Sequence, residues 1–187
     1  MIYYYKIPSD TLINSRKDET ELARRVLAAA LKKEYGIDKL PDIEKNDKGK
    51  PYFTNLPHIQ FNYSHCRYEI LCGIAKGPIG VDVESKRTFR PGFARHVCHP
   101  NELELLDGAS DMDETLLSLW VAKEAYLKYL GEGIRHSLRE IDMSGVINGK
   151  NQTDKNIYIR LWKEKEVHRC VCCLEKEQLR LIEFENI

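Results

Sequence analysis

Hydrophobic and polar residues follow two spacings along this chain, and each spacing predicts one type of element. Short runs rich in aromatic and β-branched residues predict β-strands, because such residues suit a pleated and half-buried surface. The predicted strands cover residues 1–7, 59–66, 68–77, 79–85, 156–162, 167–175 and 179–186.

Apolar residues at helical spacing predict two long helices. The first covers 18–36, with acidic residues in its first turn and Lys32, Lys33 and Gly36 at its end. The second covers 113–133, where a wide apolar face is followed by Gly131 and Gly133. Residues 91–106 predict two short helices that separate near Pro100, and residues 41–57 predict a loop.

The order of these elements predicts an α+β fold. Gly77-Pro78 forms a tight link between two strand-like runs, which predicts that 68–77 and 79–85 pair as a hairpin. Each half of the chain contains a strand, helical segments and further strands. We therefore expect two similar lobes, residues 1–77 and residues 78–187.

Composition narrows the class of protein. The 187 residues are 42% hydrophobic and 31% charged, which is typical of a soluble globular protein, and 29 basic residues balance 29 acidic ones. A neutral chain is not expected to bind nucleic acid in bulk. The sequence shows neither a long apolar run nor a secretory signal, so we expect a cytoplasmic protein without membrane spans. Its six cysteines, whose spacing matches no zinc pattern, are then expected to be free and mostly buried thiols.

Two carboxylates lie in the strand-like run IGVDVESKR. Asp82 and Glu84 are two residues apart, so a strand places both on one face, with Val81 and Val83 on the other. Like charges side by side repel each other unless a positive group lies between them. The pair therefore indicates either an exposed polar face or a cation.

The second long helix offers a third carboxylate. Trp120, Glu124 and Lys128 share one helical face at a spacing of four residues, and Glu124 with Lys128 alone is typical of an exposed ion pair. Together with Asp82 and Glu84, however, Glu124 forms an oxygen-only set of the kind that suits Mg²⁺ or Mn²⁺. A lysine one turn away suits the leaving phosphate of a phosphoryl-transfer reaction.

Two further segments suit phosphate binding. Ser64 and His65 end a strand, where they point to opposite faces, so a serine hydrolase pair is disfavoured. Lys48 and Lys50 flank Gly49, which allows the backbone to approach a ligand closely. Each segment alone is also compatible with an ordinary polar strand end or turn.

Four pieces of the chain, taken in order, resemble the 4′-phosphopantetheinyl transferases of the surfactin-synthetase-activating (Sfp) type. GKPYF is similar to a G-K-P segment of that family, FNYSHC to F-N-x-S-H-S, and GVDVE to G-I-D-I-E. WVAKEAYLKYLGEG is similar to W-x-x-K-E-A-x-x-K-x-x-G-x-G. The resemblance spans most of residues 22–175. It departs from the family at Cys66, where a serine is usual, and in a short N-terminal lobe.

The resemblance implies a reaction and a site. Enzymes of this family transfer the 4′-phosphopantetheine arm of coenzyme A to a serine of an acyl or peptidyl carrier protein and release 3′,5′-ADP. They act as monomers of two pseudo-symmetric lobes, with the active site in the cleft between them. By resemblance, Mg²⁺, with Mn²⁺ as the alternative, is expected on Asp82, Glu84 and Glu124.

The resemblance also assigns roles to individual residues. Glu124 is the expected base and Lys128 the group that stabilises or protonates the leaving oxygen. Contacts to the pyrophosphate are expected from Lys123 and His65. The 3′-phosphate and nearby groups are expected to contact Lys50, Ser64 and Arg25, with Arg24 as the alternative to Arg25.

Two other functions remain compatible with these residues. The three carboxylates alone would also suit another Mg²⁺-dependent phosphoryl enzyme, although the sequence lacks the glycine-rich G-x-x-x-x-G-K-[ST] phosphate loop. A non-catalytic module that binds carrier proteins is the second alternative. Such a module would be expected to lose an acid or Lys128, and this chain keeps them all.

Phe93, Val97 and Leu103 form either an apolar surface for a carrier protein or part of the core.

Overall fold

The computed structural model describes residues 1–131, 137–151 and 157–187. Within them lie the strands β1 (Ile2–Lys6), β2 (Ile43–Lys45), β3 (Pro51–Phe53), β4 (Gln60–Cys66), β5 (Glu69–Ala75), β6 (Ile79–Ser85), β7 (Tyr158–Glu164), β8 (Val167–Cys173) and β9 (Leu181–Phe184). The α-helices are α1 (Arg16–Tyr35), α2 (Phe93–Val97), α3 (Pro100–Asp107), α4 (Met112–Leu130) and α5 (Ser144–Ile147). Two 3-10 turns, Leu138–Glu140 and Lys176–Leu179, complete them. The predicted α+β fold is confirmed.

The first sheet has the strand order β4-β5-β1-β9, and α1 packs on one of its faces. The side chain of Ser15 caps α1 by accepting a hydrogen bond from the Asp18 N–H. Gly36 ends it in the left-handed conformation, with φ 68°. The buried stripe of α1 contacts the aromatic and aliphatic residues of β1, β4 and β5. This sheet and helix form the N-terminal lobe.

The second sheet has the order β6-β8-β7, and α4 lies across it. Adjacent residues of β8 face opposite ways. Cys170 and Cys172 belong to the core beneath α4, whereas Val171 and Cys173 belong to the core shared with the first sheet. The six cysteines are free thiols, and five of them are buried, as the sequence predicts.

Two sequence predictions about the strands were wrong. β5 and β6 do not form a hairpin: β5 pairs with β4 and β1, whereas β6 pairs with β8. Both strands are almost fully buried, so the apolar pattern alone does not tell which neighbour each strand has. The predicted loop 41–57 contains the β2–β3 hairpin.

The last strand also departs from the expected division of the chain. β9 pairs in parallel with β1 and so joins the sheet of the N-terminal lobe, although it follows the strands of the other sheet in sequence. A pairing over this separation leaves no local signal. The predicted helix terminator Gly133 lies outside the described residues.

The two short helices predicted within residues 91–106 are present, whereas α5 was not predicted. α2 and α3 are separate short helices, with Pro100 as the first residue of α3. Val97 is buried in the core, and Phe93 and Leu103 pack against that core. Their interpretation as core residues is therefore favoured over an exposed docking surface.

None of the helices in the described ranges combines the length and hydropathy that a membrane span requires.

One glycine sets how closely α4 approaches β6. Gly80 faces α4, and a Cβ atom placed on it would overlap with the Ala125 carbonyl oxygen and the Tyr129 backbone nitrogen. Both atoms belong to the backbone of α4, which cannot move aside as a flexible side chain can. The absence of a side chain at Gly80 therefore allows α4 to lie directly against the strand that carries Asp82 and Glu84.

We expect Gly80→Ala to lower the free energy of unfolding by more than about 3 kcal/mol, in the range of severe overpacking. Chemical denaturation measures the loss. Gly108→Ala is the control, because its Cβ would lie 3.9 Å from the Leu105 carbonyl oxygen, an ordinary van der Waals distance. Equal stability of the two variants would contradict the close approach of α4.

Candidate active site

A cleft of about 330 Å³ lies between the β2–β3 hairpin, β4 and the C-terminal half of α4. Four of the side chains that line it are lysines, and Glu124 is the carboxylate among its described lining residues. Leu127, Pro51 and Tyr63 supply apolar surface. A cleft with several ammonium groups and some apolar wall suits a polyanionic organic ligand. The four lysines are Lys45, Lys48, Lys50 and Lys128.

Asp82 lies beside this cleft and is 3% exposed. Its Oδ1 accepts hydrogen bonds from Ser64 Oγ at 2.7 Å and from Lys128 Nζ at 2.6 Å. Lys128 Nζ also donates to Ser64 Oγ at 3.1 Å. The other oxygen, Oδ2, is buried and has no hydrogen-bond partner among the described residues. A buried carboxylate oxygen without a partner is costly unless it binds a cation or a donor.

The other two predicted acids lie close enough to Asp82 to feel its charge. Burial, followed by repulsion from Asp82, raises the pKa of Glu84, while Arg87, the Trp120 indole and Lys128 oppose the rise. Burial and then Asp82 likewise raise the pKa of Glu124, which Lys128 partly offsets. Three neighbouring carboxylates with one ammonium form a site that a cation would stabilise.

The three carboxylates are neighbours but do not converge. Within the described ranges, no three His, Cys, Asp or Glu side chains are arranged so that they could hold one metal ion. Lys128 and Ser64 occupy Asp82 Oδ1, and Arg87 Nη2 lies 3.8 Å from Glu84 Oε1. The chemistry of the donor set and the unpartnered Oδ2 nevertheless fit a hard divalent cation.

Ser64 and His65 point to opposite faces of β4. Ser64 joins Asp82 and Lys128, whereas His65 Nδ1 lies 3.8 Å from Glu19 Oε2 of α1. The structure thus brings Ser64 into the carboxylate group and does not bring His65 there.

Lys50 lies where the hairpin meets the end of α4. Its Nζ donates to the Tyr129 carbonyl oxygen at 3.2 Å, so the ammonium satisfies one of the last carbonyl groups of the helix. Burial lowers the pKa of Lys50. Gly131 ends the helix at φ 68°, and a Cβ there would come within 2.7 Å of Lys50 Cδ. The helix end and the lysine therefore position each other at the cleft wall.

Lys123 requires a correction. It was expected to contact pyrophosphate, but it is 0% exposed and its Nζ forms an ion pair with Glu102 Oε2 at 2.7 Å. The same ammonium donates at 2.7–2.8 Å to the carbonyl oxygens of Val97, Leu138 and Ile141. All its donors are used inside the core. Lys123 thus joins α4 to α3 and to the 138–141 turn, and does not reach the cleft.

Arg25 is also placed elsewhere. Its Nη2 donates to the Ile187 carbonyl oxygen at 2.6 Å. The adjacent Arg24 lies near the Tyr63 phenol, whose pKa burial raises and Arg24 lowers in part. Tyr63 lines the cleft, so Arg24 is the arginine of the two whose charge acts on a residue of the cleft wall.

Sequence reasoning missed two contributors to the site. Asn62 Oδ1 accepts a hydrogen bond from the Val81 N–H at 2.9 Å, which fixes β4 to the edge of β6. Lys45 lines the cleft from the hairpin that was predicted as a loop. Asn62 belongs to the FNYSHC segment, so this motif could have indicated it as a site residue. No sequence motif indicates Lys45.

The chain is similar to proteins of one family. The model of the "4′-phosphopantetheinyl transferase superfamily" matches residues 78–181. The chain is 30% identical over 140 residues to the 4′-phosphopantetheinyl transferase gsp of Aneurinibacillus migulanus, covering 69% of this chain and 56% of that protein. It is 31% identical over 121 residues to the 4′-phosphopantetheinyl transferase Sfp of Bacillus subtilis strain 168, covering 62% and 53%. The chain thus spans about half the length of the curated relatives it matches.

Among solved structures, the holo-[acyl-carrier-protein] synthase of Thermotoga maritima superposes with a TM-score of 0.42 at 20% sequence identity. The superposition covers 53% of this chain and 64% of that chain.

We expect Lys123→Met to lower the free energy of unfolding by about 3–5 kcal/mol, because it leaves Glu102 buried without its cation. Replacing both partners, with Lys123→Met and Glu102→Leu, should recover part of this loss. Urea denaturation measures both.

The matched control is Lys163→Met, which removes an exposed pair with Glu114 (N–O distance 3.3 Å) and should cost at most about 1 kcal/mol. If Lys123→Met kept full stability and weakened coenzyme A binding alone, a role in pyrophosphate contact would be restored.

Proposed function

Because the chain belongs to the 4′-phosphopantetheinyl transferase superfamily, we propose that it transfers the 4′-phosphopantetheine arm of coenzyme A to a serine of an apo carrier protein. The observation that carries this proposal is the group formed by Asp82, Ser64 and Lys128 beside a lysine-lined cleft. The cleft provides positive charge for phosphates, and the carboxylates provide oxygen ligands for a cation between them.

Asp82, Glu84 and Glu124 would hold the divalent cation, Mg²⁺ or alternatively Mn²⁺. Oxygen-only ligands are the type that both ions prefer, and Mg²⁺ commonly completes its shell with substrate phosphates and water. When bound, the cation neutralises the charge that develops on the pyrophosphate. Glu140 and Asp142 belong to a different part of the fold, where Asp142 accepts hydrogen bonds from Asn101 and Ser144.

The side chains of this chain supply the remaining chemistry. Glu124 accepts the proton of the serine hydroxyl, directly or through a water, and its raised pKa suits that task. The serine oxygen forms a bond to the phosphorus that carries pantetheine, and the bond from this phosphorus to the bridging oxygen breaks. Lys128 stabilises or protonates that oxygen, and 3′,5′-ADP leaves.

Binding of coenzyme A would use the cationic wall. We propose that Lys50, from the hairpin, and Arg24, from α1, contact the 3′-phosphate and nearby groups. We propose that His65, on the α1 side of β4, extends this contact to the phosphates. The client is an acyl or peptidyl carrier protein, and neither nucleic acid nor a membrane is a proposed partner.

We further propose that the protein acts as a monomer in the cytoplasm. Its three carboxylates come from one chain, on β6 and α4, which supports a monomer. Its six free thiols suit a reducing compartment.

The decisive experiment mixes the purified chain with coenzyme A, Mg²⁺ and an apo carrier protein, with fatty-acid and peptidyl carriers tested side by side. We expect mass spectrometry to show the added phosphopantetheine on the carrier and 3′,5′-ADP among the products. Asp82→Ala and Glu124→Ala should lose transfer by at least about a thousandfold, as removal of metal ligands or a base does.

Glu140→Ala is the control variant, because it removes an exposed carboxylate away from the cleft. Circular dichroism confirms that each variant is folded. No mass shift on any carrier would overturn the proposal. Phosphate release from nucleotides without a carrier would instead indicate another phosphoryl enzyme.

Two adjacent arginines provide a second prediction. We expect Arg24→Ala to raise the KM for coenzyme A about tenfold or more, because a hydrogen bond to a charged group contributes about 1.5–3 kcal/mol. Arg25→Ala should leave that KM nearly unchanged, since its guanidinium donates to the Ile187 carbonyl oxygen. The reverse ranking in steady-state kinetics would return the phosphate contact to Arg25.

A further inference from the structure

We propose that the ammonium of Lys128 and the divalent cation compete for Asp82, so that coenzyme A promotes cation binding by drawing Lys128 away. This inference rests on the proposed function and specifies how the binding of coenzyme A affects the binding of the cation. Lys128 is then both a contact for the leaving phosphate and the internal cation that keeps Asp82 neutralised beforehand.

The first argument is the use of lone pairs on Asp82. Oδ1 accepts from Ser64 Oγ at 2.7 Å and from Lys128 Nζ at 2.6 Å, which uses both of its in-plane acceptor positions. A metal ion needs one of those positions, or else binds at Oδ2 with the ammonium still on the same carboxylate. In the second case two cations share one buried carboxylate, and their repulsion lowers the affinity for the metal ion.

The second argument is the arrangement of the other ligands. Glu84 and Glu124 are close to Asp82 and repel it, yet no three acidic side chains within the described ranges surround a common point. The ammonium that bonds Asp82 comes from α4, one turn beyond Glu124, and its charge also acts on Glu124 and Glu84. Displacing Lys128 is thus the movement that would let the carboxylates converge.

The third argument is where Lys128 can go. Its side chain is 30% exposed and also lines the cleft, whereas Asp82 is buried. A pyrophosphate in the cleft offers oxygens that can replace Asp82 as acceptors for the ammonium. The long lysine stem allows this exchange by rotamer changes, without any movement of α4. Ser64 keeps its hydrogen bond to Asp82 throughout.

Reciprocity makes the inference measurable. If coenzyme A strengthens cation binding by removing Lys128, removal of its charge by mutation must strengthen cation binding without coenzyme A and weaken the coupling. If the Lys128–Asp82 pair were instead retained in the loaded enzyme, removing the lysine charge would tighten cation binding equally with and without coenzyme A, and the coupling would not change.

The experiment titrates Mn²⁺ against each folded variant and follows free Mn²⁺ by electron paramagnetic resonance, first without and then with coenzyme A, and without any carrier protein. We expect Lys128→Met to bind Mn²⁺ at least about tenfold more tightly than the wild type when coenzyme A is absent. Coenzyme A should tighten Mn²⁺ binding strongly in the wild type and much less in Lys128→Met. Lys128→Gln, which keeps a donor for Asp82 but no charge, should behave similarly and serves if the methionine variant fails to fold.

Lys45→Met is the matched control, since Lys45 lines the same cleft and is not among the two hydrogen-bond donors to Asp82. It should change the Mn²⁺ affinity by less than about twofold. Equal Mn²⁺ affinity in the wild type and both Lys128 variants would overturn the inference, and so would an equal gain in Lys45→Met, which would indicate a general charge effect.

Failure of this inference is separable from failure of the proposed function. Equal Mn²⁺ affinities combined with normal carrier modification would remove the competition at Asp82 and leave the transferase proposal intact. Tighter Mn²⁺ binding by Lys128→Met, together with no carrier modification by the wild type, would support the competition and count against the transferase.

Discussion

The close contact between α4 and β6 is the constraint on which the site depends. Gly80 has no side chain where the backbone of α4 passes, so the helix can lie directly on the strand. This contact brings Lys128 within 2.6 Å of Asp82, although 46 residues separate them in sequence. A helix held a few ångströms further out would leave Asp82 buried with no cation beside it, an arrangement that costs several kcal/mol.

The same two elements divide their residues between chemistry and packing. On β6, Asp82 faces the cleft side, while Val81 and Val83 are fully buried in the core shared with the first sheet. On α4, Glu124 lines the cleft while its neighbour Lys123 is buried in an ion pair with Glu102. Neighbouring residues on a helix point about 100° apart, so one ionisable side chain can serve the site and the next can hold the helix in place.

The first sheet contributes by being fixed to the second. Arg169 of β8 makes two buried hydrogen bonds to the Glu69 carboxylate of β5, and its guanidinium lies 4.9 Å from the centre of the Tyr4 ring. Asn62 adds the bond to the Val81 N–H at the strand edge. These links set the position of β4, and therefore of Ser64, relative to Asp82. The cleft is thus a consequence of how the two sheets are joined, with the β2–β3 hairpin adding its lysines at the open side.

The sequence by itself determined the long helices, most strands and the chemical type of the site, but not the β2–β3 hairpin. Helical spacing, the Gly36 end of α1 and the alternation of Asp82 and Glu84 with valines are local properties, because they depend on neighbours a few residues away. The motifs around Ser64, Asp82 and Glu124 likewise indicated carboxylates and phosphate contacts. The tertiary structure decided which strands pair, that Lys123 is buried, and that Arg25 donates to the Ile187 carbonyl oxygen. These outcomes depend on contacts between residues far apart in the chain, such as β9 with β1 and Lys123 with the 138–141 turn, and a local pattern carries no information on such partners.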